Sequence, residues 1–360
     1  MRYPLLQIDL NKIYQNAKYI VEFCKSKGID IAVVVKGFNA IPEVVNVLLK
    51  SGCNYIADSR IDHIKKLVES NINSSYMLLR VPMISEIKDV VKYVDISLNS
   101  EIKTLNEIEK ECLIQNKEHK IILMHDLGDL REGIFNENEL IDVALYIENN
   151  LKMVKLYGIG TNIGCYGGVV PTKENIGRLQ EVSYKIEERI NRKLNIISGG
   201  ATTSLTLLFK DEMPSKINNL RIGEGLLLGR DLEDLWGYDM SSLHKDAFIL
   251  KAEVVEVKEK PSKPIGDLFV DAFGNIPTFE DYGIRKRALL AIGKADFVFY
   301  EQLIPRIKDI KILGGSSDHL IVDINDCKED IQVGDILEFE MYYGPMLHLT
   351  NSSSVNKVFI

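Results

Sequence analysis

The sequence predicts an α/β chain: a (β/α)8 TIM-like barrel followed by a smaller, mainly β domain. Three observations carry this. Between residues 29 and 224 a short apolar or β-branched run, a polar Gly-rich turn and a segment of helical apolar spacing recur, and eight such runs can be counted. After Trp236 the texture changes to strand-like runs separated by turns. A length of 360 residues is more than one ordinary domain uses.

The elements follow in order. Ile13, Ala17, Ile20, Val21 and Cys24 share one face with polar residues opposite, so 11–27 is predicted as an amphipathic helix ahead of the barrel. The barrel strands are predicted at 31–35, 55–57, 76–79, 95–98, 120–125, 154–160, 195–198 and 218–222, with room between them for crossover helices. Farther on, 248–258, 288–292, 318–324 and 336–343 are strand-like, with turns such as Gly314-Gly315 between them. The domains are therefore drawn at 1–238 and 239–360.

Composition narrows the function. With 44 Lys and Arg against 52 Asp and Glu, the net charge of −8 would repel a phosphate backbone, which argues against nucleic acid as a partner. The five cysteines are scattered without a C-x-x-C, so neither a disulfide framework nor a zinc cluster is indicated, and a reducing compartment fits. No apolar segment suits a signal peptide or a membrane span. The expectation is a cytoplasmic protein with no membrane partner.

Functional groups of such barrels sit at the C-terminal ends of the strands. Here those positions hold Lys36, Asp58-Ser59-Arg60, Arg80, Asn99-Ser100, Asp126 with Arg131, Asn162, Gly199-Gly200 with Thr202-Thr203, and Arg221 with Gly223-Glu224. Several cations at one mouth suit an anionic ligand. Lys36 ends an apolar run, where desolvation and neighbouring cations would favour the reactive free amine; the alternative is a lysine snorkelling from a strand end. The stretch 198–204 combines close-approach glycines with hydroxyls, as in a phosphate cradle, or forms a Gly-rich turn with an ordinary helix cap.

Taken together, these residues resemble the alanine racemase group of fold-type III pyridoxal phosphate (PLP) enzymes, most closely its ornithine racemase branch. The stretches that carry the resemblance are Ala57-Asp58-Ser59-Arg60, Leu79-Arg80-Val81-Pro82-Met83-Ile84-Ser85-Glu86, Asp126-Leu127-Gly128-Asp129-Leu130-Arg131-Glu132-Gly133, Gly158-Ile159-Gly160-Thr161-Asn162, Leu220-Arg221-Ile222-Gly223-Glu224 and Gly314-Gly315-Ser316-Ser317-Asp318-His319. The resemblance implies that Lys36 carries PLP and acts as a base on one face, and that Thr202 and the backbone near Gly223 hold the phosphate. It also implies Arg221 on the pyridine nitrogen and Arg131 near the cofactor's phenolic oxygen and the substrate carboxylate; Arg131 could otherwise be a surface loop residue. A homodimer with shared active sites is implied as well.

Departures accompany the matches. Where alanine racemases carry a tyrosine as second base, the comparable stretch here is Ile292-Gly293-Lys294-Ala295-Asp296. Lys294 is the candidate second base, with a surface ion pair to Asp296 as the alternative and Asp318, His319 or Tyr343 as other candidates. Asn162 stands for the histidine expected near the ring, and Phe359 for the C-terminal tyrosine. Ser317 would offer its N–H to the substrate carboxylate, and Asp318 would face a distal ammonium or cap a turn.

The resemblance thus implies a two-base amino-acid racemase acting on ornithine, with alanine, lysine or a broader set as alternatives. A fold-type III aldolase or dehydratase would need a compact metal-ligand set, and His319, Cys327 and His348 are too dispersed in sequence to suggest one, so no metal is expected. A PLP-homeostasis protein shares the lysine-bearing barrel but lacks a second domain, whereas roughly 120 residues follow Trp236 here.

Overall fold

The computed structural model describes residues 2–360. Two compact units are present, one formed by residues 11–243 and the other by the first ten residues together with 244–360. The reason is β1 (Leu5–Ile8), which pairs with strands of the C-terminal region. The chain thus begins in the β unit and only then enters the barrel, a long-range pairing that lies outside the sequence division at 238.

In the first unit, β2 (Asp30–Val34), β3 (Tyr55–Asp58), β4 (Ser75–Leu78), β5 (Ile96–Asn99), β6 (His119–Met124), β7 (Val154–Gly160), β8 (Ile196–Ser198) and β9 (Asn219–Ile222) close in chain order into a parallel barrel. All eight predicted runs become strands, with ends displaced by a residue or so. The closing pair sets Ala32 against Arg221 and Val33 against Ile222. Ala32, Val34, Ala57, Met77, Leu98, Ile122, Met124 and Ile196 are among the buried residues of one cluster, so side chains fill the interior and functional groups are left at its rim. Helices such as Leu10–Ser26 and Lys173–Ile190 bury a stripe spaced by three and four residues.

The second unit is a mainly antiparallel sheet. Its strands are β10 (Phe248–Pro261), β11 (Ile284–Leu290), β12 (Leu303–Pro305), β13 (Lys311–Gly315), β14 (Leu320–Asp323), β15 (Ile336–Met341) and β16 (Asn356–Phe359), with β1 beside β10 and β16. In β10, Leu250, Ala252 and Val254 are buried and alternate with partly exposed residues, the period-two pattern that marks the run in sequence. β12, β13 and β16, like β1, are too short or too Gly-rich to announce themselves. The predicted run 318–324 is shortened, because Ser316 and His319 close a turn (Ser316 N–H to His319 O, 2.9 Å) ahead of β14. Tyr343, taken as the end of a strand, instead opens the helix Tyr343–Asn351.

Candidate active site

The barrel mouth is built from the loops that follow its strands. β2 stops at Val34, the Val35 N–H donates to Ala57 O at 2.9 Å, and Lys36 opens a single 3-10 turn, Lys36–Phe38. Lys36 is half-buried, and among the described residues no hydrogen bond or ion pair engages its amine. Burial, followed by the charge of Arg131, pushes its proton affinity below that of an ordinary lysine, against weaker opposition from Cys165, Asp58 and Glu132. Such an amine can act as a base or a nucleophile.

Arg221 lies on β9 and is 4% exposed. Its guanidinium donates to Ser198 Oγ at 2.5 Å and to Thr161 O at 2.6 Å, while the Ser198 hydroxyl donates to Asn219 Oδ1 at 2.6 Å. Burial lowers its pKa to about 10. Beside it, Asn162 is buried with its Nδ2 unpartnered, and Thr161 Oγ1 is likewise unpartnered. Two buried polar groups without partners next to a fixed guanidinium mark a place where a polar ligand would complete the hydrogen bonding.

Thr202 opens the 3-10 turn Thr202–Ser204 behind β8, and its hydroxyl accepts the Gly225 N–H at 3.4 Å. Gly223 leads into the short helix Glu224–Leu227, which brings the Gly225 amide to the Thr202 hydroxyl. The wall of this turn requires glycine: Gly200 has φ +117°, and a Cβ there would fall 2.5 Å from Ser204 Oγ.

Arg131 sits on a loop held from within. Asp126 Oδ1 accepts the N–H groups of Gly128 and Leu130 at 2.8 and 3.1 Å. The guanidinium is grasped from two sides by Glu132, with Nη2 2.5 Å from Oε1 and a second contact from Nε to Oε2, and its Nη1 donates to Cys165 Sγ at 3.0 Å. Cys165 is fixed in turn by Asp129, a fully buried carboxylate that accepts the N–H groups of Gly164, Tyr166 and Val169 at 3.1, 2.9 and 3.4 Å. Sequence reasoning singled out Arg131 and missed Glu132, Cys165 and Asp129 as parts of the site. An acid immediately after a strand-end arginine is the one available signal.

Not every strand-end cation joins this group. Arg80 is held by Glu86 at 3.0 Å, and the Asp58 carboxylate is engaged by the Arg60 N–H at 2.8 Å and by His63 Nδ1 at 3.0 Å. The electrostatically connected cations are Lys36, Arg131 and Arg221.

In the β unit, Lys294, Ser317 and Asp318 form one corner. The Lys294 N–H donates to Ser316 O at 2.9 Å and the Ala295 N–H to Ser317 O at 3.1 Å. The approach is so close that a Cβ on Gly293 would meet Ser317 O at 2.2 Å. Lys294 Nζ stands 4.1 Å from the centroid of the Phe273 ring and 5.4 Å from that of Tyr300. The ion pair with Asp296 does not form among the described residues, because that carboxylate accepts the Ser352 hydroxyl at 2.6 Å. Asp318 is exposed at the turn and accepts the Ser317 hydroxyl at 2.6 Å.

A half-buried amine and a buried amide without partners among the described residues, a buried guanidinium and a hydroxyl beside a backbone amide lie at the strand ends of one barrel and suit a polar, anionic ligand. Comparison with known proteins supplies the family. The family model for the alanine racemase N-terminal domain matches residues 8–231. An ornithine racemase of Acetoanaerobium sticklandii is 45% identical, over 99% of this chain and 99% of its own length. A lysine racemase of Thermotoga maritima is 38% identical, over 100% of this chain and 99% of its own. The crystal structure of alanine racemase from D-cycloserine-producing Streptomyces lavendulae superposes with a TM-score of 0.76 over 100% of this chain and 98% of that one, at 15% identity, a likeness of fold. With a strand-for-strand barrel, the family's domain and full-length racemase relatives in agreement, the chain is a racemase of the alanine racemase family.

Proposed function

We propose that this racemase uses PLP, held by Lys36, to interconvert the L and D forms of an amino acid with a cationic side chain, ornithine first and lysine second. The observation that carries the reading is the half-buried Lys36 amine, which has no partner among the described residues and whose proton affinity is lowered by burial and by Arg131. The residues present fit the cofactor: unpartnered Asn162 Nδ2 and the Gly200-walled turn provide an unfilled polar place and a cradle. The identities of the two full-length relatives support the substrate class.

When bound, PLP supplies an electron sink that makes the substrate's Cα–H acidic. Lys36 would hold it covalently, and Thr202 with the backbone at Gly223 would take its phosphate. Arg221, fixed by Ser198 and Thr161, would donate to the ring nitrogen and keep it unprotonated, which weakens the sink and favours prompt return of a proton. Asn162 would offer its Nδ2 as a donor to the bound group. Arg131 would receive the substrate carboxylate and orient Cα toward Lys36, whose amine, freed when the substrate's own amine takes its place, would remove or return the proton on one face.

By the family resemblance, Lys294 of the partner subunit would exchange the proton on the opposite face, with Ser317 and Asp318 of the partner subunit contacting the substrate. The aromatic faces of Phe273 and Tyr300 hold the Lys294 ammonium in place. The working form we propose is a cytoplasmic homodimer, in line with the family resemblance and with five cysteines that are all unpaired.

The test is chiral chromatography of PLP-loaded protein in D2O with L-ornithine, L-lysine, L-alanine and L-serine in separate reactions. D-ornithine carrying deuterium at Cα is expected. Lys36→Ala should lose both turnover and the visible absorbance of bound PLP, whereas Lys294→Ala should keep slow exchange from one enantiomer without racemisation. Formation of pyruvate from serine with no D-enantiomer from any substrate would refute the reading.

A further inference from the structure

Resting on that function, the barrel mouth offers more than a carboxylate site. Several acids lie near it, and most are engaged in building the loops. Asp58 takes the Arg60 N–H and His63, Asp126 takes two amides and Asp129 three. Glu224 accepts the N–H groups of Arg230 and Asp231 at 2.9 and 3.2 Å. Glu86 holds Arg80.

Glu132 differs. Among the described residues both of its oxygens accept only from the Arg131 side chain, whereas Glu86 also takes the Met83 N–H at 3.2 Å, and the Glu132 side chain is 17% exposed. Its charge is felt at both Lys36 and Arg221, which puts it within electrostatic reach of both ends of the rim. Its partner is the very arginine assigned to the substrate carboxylate.

We infer that Glu132 is the residue that selects a cationic side chain: the substrate's carboxylate takes Arg131, and its distal ammonium takes the Glu132 carboxylate that Arg131 releases. A diamino acid exchanges one internal ion pair for two ion pairs of its own. A neutral amino acid breaks the same pair and leaves Glu132 without a partner in a confined site, so selectivity comes from the uncompensated charge as well as from the new contact. Asp318 is less suited, because it is exposed and occupied by the Ser317 hydroxyl.

The test compares ornithine with 2-aminopentanoate, which has the same carbon chain without the ammonium, on PLP-loaded wild-type, Glu132→Gln, Glu132→Asp and Asp318→Asn proteins. Glu132→Gln should lower the ornithine-to-aminopentanoate ratio of kcat/KM at least tenfold, chiefly through the KM of ornithine, and Glu132→Asp should restore part of it. Equal losses on both substrates would overturn the inference and leave Glu132 as a positioning residue for Arg131. So would a ratio that collapses in Asp318→Asn and stands in Glu132→Gln. If Glu132→Gln turns over neither substrate, the ratio of calorimetric Kd values decides by the same criteria. Wild-type protein that binds ornithine without racemising it would sink the functional proposal, while that Kd ratio still judges Glu132.

Discussion

Gly293→Ala is the most pointed test of how the β unit presents Lys294 and Ser317. The added Cβ would lie 2.2 Å from Ser317 O, 2.3 Å from Ser317 C and 2.4 Å from the Asp318 nitrogen, all backbone atoms with no rotamer to yield. Ordinary contact needs a retreat of about 1 Å, which would stretch the Lys294 and Ala295 N–H bonds to Ser316 and Ser317. Overpacking of this kind costs about 1–3 kcal/mol, and weakening two backbone hydrogen bonds adds about 1 kcal/mol. For a unit of this size the expected fall in Tm is roughly 7–15 °C. If the turn belongs to the active site, a displacement of about 1 Å should also lower kcat by about 100-fold. Thermal unfolding and chiral turnover are measured on the same preparation. Unchanged Tm would refute the packing argument; lowered Tm with wild-type kcat at a permissive temperature would remove the Ser317 turn from the site.

Two further outcomes follow from the barrel. Arg131→Gln removes a cation that disfavours the charged amine, so the Lys36 pKa should rise; competitive acetylation of the cofactor-free protein, read by mass spectrometry across pH, should show its midpoint moving to higher pH. Asp129→Asn should cost about 2 kcal/mol and raise hydrogen exchange in 164–169, because a buried carboxylate that accepts three amides is replaced by a weaker acceptor. Burial raises the Asp129 pKa, but the amide hydrogen bonds more than offset this and hold it below an ordinary aspartate. Its contribution is therefore complete above the unfolded pKa of about 3.9 and disappears as pH falls through the folded value, a dependence the Asn variant should lack in urea titrations between about pH 2 and 5.

Periodicity shows the barrel because each strand is buried on both faces and each crossover helix repeats a three-to-four spacing. Both are local constraints on side-chain type, and all eight strands obey them. The β unit is harder to read. β1 is four residues that owe their strand state to β10 and β16, hundreds of positions away in sequence. β13 carries two glycines and a register shift, so its hydrophobic signal is weak.

The same division runs through the site. Residue type and strand-end position were enough to single out Lys36, Arg131, Arg221, Asn162 and Thr202, because a parallel barrel forces such positions to one rim. Their partners were a matter of folding. That Asp129 is a loop anchor and that Asp296 binds Ser352 depend on which loops approach one another. A hydrogen bond is decided over tenths of an ångström and by direction, and no spacing along the chain encodes that. The order of residues determines which chemistry reaches the rim, and the closed barrel decides which of those groups remain free to use it.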